Sequence, residues 1–259
     1  MDLNLRGKRA IVTGGSGGLG RAIALALARE GMDITLVARN AEALAGVAAE
    51  CTAAGSTRAD SLAVDLMDRA SADTVVASSA GRAVDVLVNC AGATKRGDFF
   101  SLTDKDWADG FELKFFGTMR MCRALWPSLA ASRGAIVNIV GAGSRTPSAD
   151  FAIGGSVNSA LLNFTKALAD RGRTDGVRVN AINPGYFLTD RLEHRIVAAM
   201  NADGRTREAV ESGLLAGYRI SRFGHPEELG GLVAFMASDA GSYLHGAIVD
   251  LDGGATKGL

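Results

Sequence analysis

Short apolar runs recur along the chain at Arg9 to Val12, Asp33 to Val37, Ser61 to Val64, Val84 to Val88, Ala135 to Val140, Val177 to Ile182 and Ala247 to Leu251. They are near-continuously apolar rather than alternating, which predicts strands covered on both faces. The segments between them carry a different period. From Asp104 to Ala131, Phe115, Met119, Cys122, Trp126 and Leu129 fall four and three apart. From about Ala152 to Ala169, Val157, Ala160, Leu161, Phe164 and Leu168 do the same. Those stripes predict amphipathic helices. Strand and helix alternate almost to the end. The expected fold class is therefore α/β, a doubly wound parallel sheet of seven strands with helices on both faces. The 259 residues read as a single domain, 1–259. The rhythm breaks only at about 189–225, where no strand is predicted and Asn201 to Arg207 is polar. Helices and loops inserted over a site, or a plain surface excursion, both fit that stretch.

The densest local signal is Thr13-Gly14-Gly15-Ser16-Gly17-Gly18-Leu19-Gly20, between the first strand and an apolar-striped helix. Glycines there permit a tight turn and bring backbone N–H groups to a helix N-terminus, where the dipole favours a pyrophosphate. A bare glycine motif is weak evidence. Its placement between strand and helix makes it a dinucleotide-binding, Rossmann-type signature.

Composition adds mostly exclusions. Lys+Arg and Asp+Glu are both 28, so no charge excess points to nucleic acid or an anionic membrane. Cys51, Cys90 and Cys122 sit in apolar segments and form no CxxC. Buried reduced thiols and a cytoplasmic location are expected. The first residues carry no apolar signal core, and no run approaches the roughly 20 apolar residues of a membrane span. No His, Cys and carboxylate spacing suggests a metal.

Several motifs in order resemble the short-chain dehydrogenase/reductase family over about residues 5–254. They are the glycine turn, Asp65-Leu66, Asn89-Cys90-Ala91-Gly92, Asn183-Pro184-Gly185-Tyr186-Phe187-Leu188-Thr189, Arg222 to Glu228, and Asp252-Gly253-Gly254. The resemblance implies a nicotinamide dinucleotide held by Gly14, Ser16, Gly17, Gly18, Leu19 and Gly20. Asp65 and Leu66 would meet the adenine, and Asn89, Ala91, Gly92, Pro184, Gly185, Phe187 and Thr189 the remainder, with Asn158 in the slot that binds the ribose. It also implies a homo-oligomer, dimer or tetramer, with the helices from Asp104 and from about Ala152 in one interface. At the end of the second strand, where an acid would hold the ribose 2′-hydroxyl of NAD, the chain has Ala38-Arg39. An uncharged slot beside a guanidinium favours the 2′-phosphate of NADP, with NAD still possible. The reading in which Arg39 merely starts a solvated helix stays open. Gly17 stands where NADP-users of the family often carry a second basic residue.

The family's proton relay is a different matter. Counting inward from Ala135-Ile136-Val137-Asn138-Ile139 and from Leu161 to Ala169, the Ser, Tyr and Lys slots read Gly141, Gly154 and Asn158. The Asn slot reads Lys114. No tyrosine occurs between Ala135 and Gly185. Two surrogates are the catalytic candidates. Lys114 could fill the volume left by Gly154 and Asn158 and polarise a carbonyl, or snorkel to water. Tyr186 carries a phenol near the nicotinamide end, or forms an aromatic wall. Lys95 reads as a loop charge bordering the pocket, and one of Ser144, Arg145 and Asp150 could touch substrate. The glycines at 141–143 and 154–155 suggest an enlarged pocket or exposed N–H donors. The expected function is NADP(H)-dependent oxidation and reduction of a small alcohol/carbonyl substrate through a non-standard relay. The alternative is an inactive NADP(H)-binding sensor or partner subunit.

Overall fold

The computed structural model describes residues 2–79 and 81–258; positions 1 and 259, the ends of the expected domain, lie outside them. Seven parallel strands form one sheet in the order β3-β2-β1-β4-β5-β6-β7. These are β1 (Arg9–Thr13), β2 (Asp33–Ala38), β3 (Ala59–Ala63), β4 (Val86–Asn89), β5 (Ala135–Ile139), β6 (Arg178–Pro184) and β7 (Ile248–Leu251). All seven lie where the apolar runs predict them, with ends displaced by a residue or two. The order reverses direction between β1 and β4, which creates the crevice where such sheets take ligands.

The apolar runs alternate into two separate cores. Ala10, Val12, Ile34, Leu36, Val86 and Val88 enter one core with Ile23 and Leu27 of α1 (Gly18–Arg29) and Leu229 and Val233 of α9 (Pro226–Ala237). Leu44 and Val47 of α2 (Ala41–Ala54) join them. Ile11, Val37, Leu87 and Ile136 enter the other, with Val75 of α3 (Ser71–Ser78) and Met121, Leu125 and Leu129 of α5 (Gly117–Ser132). Each strand needs apolar side chains on both faces, so period two is hidden in the sequence.

The stretch expected to be one helix from Asp104 is three pieces wound in sequence. They are α4 (Asp104–Phe111), a π turn (Glu112–Phe116) and α5. The π turn adds a residue to the local repeat, so the buried stripe of α5 runs through Met121, Cys122, Leu125 and Leu129 rather than Met119 and Trp126. α6 (Ala152–Asp175) runs past Ala169, and its buried face includes the polar Asn158 and Thr165.

The 189–225 segment forms α7 (Asp190–Asp203) and α8 (Arg207–Tyr218) around their own cluster of Leu192, Ile196, Val210, Ile220 and Phe223. Among the described residues, no helix is long and apolar enough to cross a membrane.

Arg178 ties the far edge together. Its guanidinium donates to the carbonyls of Met236, Ala237, Ser238 and Gly241 at 2.6–3.2 Å. The first three end α9, where a cation complements the helix dipole. Arg178→Ala leaves those carbonyls unpaired and should lower unfolding free energy by about 2–4 kcal/mol, read as a lower urea midpoint at unchanged slope.

Candidate functional site

Gly14 has φ +70°, and a Cβ there would lie 2.9 Å from the Ala91 Cα and N. Gly20 sits beneath it, where a Cβ would come within 2.1 Å of the Gly14 carbonyl oxygen. Thr13 locks the same junction: its hydroxyl oxygen accepts from the N–H groups of Cys90 and Ala91 at 3.0 and 3.1 Å. The turn therefore passes directly over the end of β4. No side chain caps the N-terminus of α1, which begins after Gly17, so its first N–H groups stay open for an anion.

A cleft of about 570 Å³ opens beside this turn, lined by Gly14, Ser16, Arg39, Asn40, Asp65, Leu66, Ala91 and Gly92 among others. A second hollow of about 530 Å³ shares Ser16 and continues past Gly17 and Gly18 to Thr189. Arg39 is exposed and makes no ion pair among the described residues. Asn40 caps α2 through Ala43 N–H at 3.0 Å, which turns the chain so that Arg39 borders the cleft. One carboxylate oxygen of Asp65 accepts from the Met67 N–H.

Other expected contacts are placed differently. Asn89 does not line the cleft. Its amide donates to Asn138 Oδ1 at 2.9 Å and Cys122 Sγ at 3.3 Å. Asn138 in turn donates to Thr165 Oγ1 at 2.9 Å. Asn89 thus braces β4, β5 and α6 from inside, and its own Oδ1 is buried without a partner. Phe187 lies in the core, and Leu19 packs against it while partly exposed. Gly185 packs on Asp252, where a Cβ would meet the Asp252 Cα at 2.8 Å, and Pro184 ends β6.

Lys114 lies in the π turn. Its stem crosses Gly92, where a Cβ would sit 2.9 Å from Lys114 Cδ. Its ammonium donates to the Val140 carbonyl at 2.5 Å and to Asn158 Oδ1 at 2.6 Å. Loss of water lowers its pKa to about 8, and the nearby Arg191 pushes the same way while Cys90 opposes. Lys114 does not snorkel; it lies inward, half-buried, at the carboxyl ends of β4 and β5. Asn158 also faces Gly141, where a Cβ would be 2.9 Å from its Nδ2. Lys114, Gly141 and Asn158 are therefore neighbours.

Gly154 is not an opening. The Phe151 ring occupies the place of a side chain there, 2.0 Å from where its Cβ would be, and it also covers Gly143 at 2.9 Å. The Gly141 N–H is taken by Asn183 Oδ1 at 3.3 Å. A packed aromatic takes the place of the expected opening at Gly143 and Gly154. Nothing in the sequence flags Phe151, because its role arises from what 154 lacks.

Tyr186 does not join Lys114. It stacks on Tyr218 with centroids 3.7 Å apart and accepts from Arg195 at 3.3 Å. Lys95 pairs with Asp106 at 3.0 Å. The Ser144 hydroxyl donates to Gly141 O at 2.9 Å, with Asn183 Oδ1 at 3.2 Å as the alternative acceptor, and Arg145 lies 3.4 Å from Asp250. His245 is held between Val179 N and Ala169 O. Burial pushes the thiols of Cys51 and Cys90 up to about 11 and that of Cys122 to about 12. The sequence did not single out Arg191, which reaches from α7 to donate to Gly92 O at 2.8 Å.

Comparison with known proteins places this architecture. The short chain dehydrogenase family model matches residues 8–198. D-threitol dehydrogenase of Mycolicibacterium smegmatis is 34% identical over 260 residues, covering 98% of this chain and 95% of that protein. Gluconate 5-dehydrogenase of Gluconobacter oxydans is 33% identical over 262 residues, covering 99% and 97%. The crystal structure of L-sorbose reductase from Gluconobacter frateurii, complexed with NADPH and L-sorbose, superposes with a TM-score of 0.96. It covers 100% of both chains at 32% identity. Motif order, sheet topology and full-length likeness agree: the chain belongs to the short-chain dehydrogenase family.

Proposed function

We propose that the chain is an NADP(H)-dependent oxidoreductase that interconverts a small alcohol and its carbonyl compound, with Lys114 as its proton donor and acceptor. The donor set fits the cofactor: an uncapped helix N-terminus for the pyrophosphate, Gly17 bare to open space beside it, and Arg39 free beside the cleft. The NADPH named for the L-sorbose reductase supports the same choice. When bound, the nicotinamide supplies or takes the hydride. The segment of α7 and α8 would cover the substrate, and assembly as a dimer or tetramer through α4, α5 and α6 belongs to the same reading.

The observation that carries the proposal is the position of the Lys114 ammonium. It lies against Gly141 and Asn158, the residues in the slots where the resemblance expects Ser and Lys. An ammonium has three donors, and two are engaged by Val140 O and Asn158 Oδ1. The third is left for a substrate oxygen. During reduction it hydrogen-bonds the carbonyl oxygen, and the proton passes from Nζ to that oxygen as the carbon accepts hydride. The amine left behind is recharged from water. In the oxidative direction the neutral amine takes the hydroxyl proton. A general acid contributes on the order of 10²- to 10⁴-fold, while fixed geometry of donor and acceptor contributes about 7–11 kcal/mol. The missing Tyr is therefore no bar to turnover.

One observation favours the second reading, an inactive nucleotide-binding protein: Phe151 fills the space above Gly154. NADPH binding without oxidation by any sugar, ketose or polyol-derived carbonyl would select it.

Two measurements test the catalytic proposal. Reduction uses the ammonium, so kcat/KM for reduction should hold below about pH 8 and fall as pH rises through it. Oxidation should rise through the same value, as set by the Lys114 pKa of about 8. Lys114→Ala should remove that inflection and lower kcat/KM for reduction by about 10²- to 10⁴-fold. A variant with full turnover and an unchanged profile rejects Lys114.

Cofactor choice is read by fluorescence titration. Arg39→Ala should weaken NADPH by about 10- to 100-fold and leave NADH unchanged. Gly17 is extended, and a Cβ there meets nothing within 4 Å. Gly17→Arg should therefore fold normally and tighten NADPH alone.

A further inference from the structure

Among the described residues, Arg191, Arg195 and Arg219 of the α7–α8 segment have no carboxylate partner, and of the three only Arg195 is half-buried. Arg205 pairs with Asp203 at 2.5 Å and Arg207 with Glu211 at 2.9 Å. Arg195 has no carboxylate partner among the described residues. Its guanidinium lies 5.3 and 5.4 Å from the ring centroids of Tyr186 and Tyr218. One N–H donates to the Tyr186 hydroxyl at 3.3 Å. The rest meet no protein acceptor among the described residues, although the residue is half-buried. Two stacked rings fix the position of this cation at little entropic cost.

Arg195 is tied to the carboxyl edge of the sheet through Tyr186. Tyr186 follows directly from the end of β6, at the carboxyl edge of the sheet. Asp150 lies within electrostatic reach of Arg195, and Arg96 within reach of Tyr218. Arg96 and Asp150 neutralise each other at 2.8 Å, and Arg96 covers the Phe151 ring at 4.0 Å. That ring abuts Gly143, whose own Cβ would be 3.6 Å from Asn158 Nδ2. Contacts thus lead from the Lys114–Asn158 pair to Phe151, Arg96 and Asp150. A half-buried guanidinium with no carboxylate partner and a planar fork suits a monoanion with two coplanar oxygens.

We propose that Arg195 binds a substrate carboxylate, so that the chain acts on a hydroxy or keto acid in preference to a neutral polyol. The inference rests on the oxidoreductase reading for its reacting carbon, but the anion site is measurable without turnover.

D-gluconate and D-sorbitol share a carbon skeleton and differ at one end, carboxylate against CH2OH. Each is titrated calorimetrically into the NADP⁺-saturated protein and then assayed for NADPH formation. Gluconate should bind more tightly. Arg195→Gln should weaken gluconate by on the order of 10- to 100-fold and leave sorbitol unchanged, while Arg195→Lys, which keeps the charge, should restore part of the loss. Equal binding of the two compounds by the wild type, or equal weakening of both by Arg195→Gln, overturns the proposal. Arg195-dependent gluconate binding with no NADPH formed upholds the anion site and defeats the catalytic reading. Turnover of sorbitol with no preference for gluconate does the reverse.

Discussion

There is no room for a carbon atom on Gly14, and the site depends on that fact. The β1 turn can pass over the end of β4 only because Gly14 carries no side chain against Ala91 and Gly20 none against Gly14. Thr13 then fastens the two strand ends with hydrogen bonds to Cys90 and Ala91. This junction is the reversal point of the sheet. It aims the α1 N-terminus into the cleft and fixes where Gly92 lies. Gly92 in turn offers the bare surface over which the Lys114 stem runs and the carbonyl that Arg191 grips. Backbone proximity at one point thereby positions an uncapped helix N-terminus and a half-buried ammonium together.

The cation side has an unusual chemical surrounding. Lys114 is held by a carbonyl and an amide oxygen, both neutral. Dipoles of that kind orient an ammonium without neutralising it, and the main bias on its charge is the loss of water. A carboxylate in the place of Asn158 would have favoured the charged form and raised the pKa. The neutral amide supplies no charge to offset that loss of water.

The fold was legible because its signals are local and repeated. Apolar runs marked all seven strands, and the glycines marked the turn. The ends of strands and the stripe of α5 were less so. A π turn leaves no mark in composition, and it displaced the buried face from Met119 and Trp126 to Met121 and Leu125. In α6, Asn158 and Thr165 are buried because Lys114 and Asn138 bond them, and an apolar pattern discounts such positions. Asn89 was legible as a special residue, but its brace toward Asn138 and Cys122 required three dimensions. Gly154 shows the deepest limit. A sequence records an absent side chain, while the Phe151 ring that replaces it comes from another turn of chain.

The π turn at Glu112–Phe116 also separates two demands on one continuous helical stretch. Each residue of an α-helix advances by about 100°, so a single extra residue rotates everything beyond it by roughly that angle. α4 can keep its face toward α6 while α5 keeps its own toward the sheet, and the widened turn between them carries Lys114 inward. The turn acts as a vernier between core and chemistry. Removal of one residue would turn α5 by about 100° against α4, so that either the α5 face of Met121, Leu125 and Leu129 would leave its core or the amine would leave Val140 and Asn158.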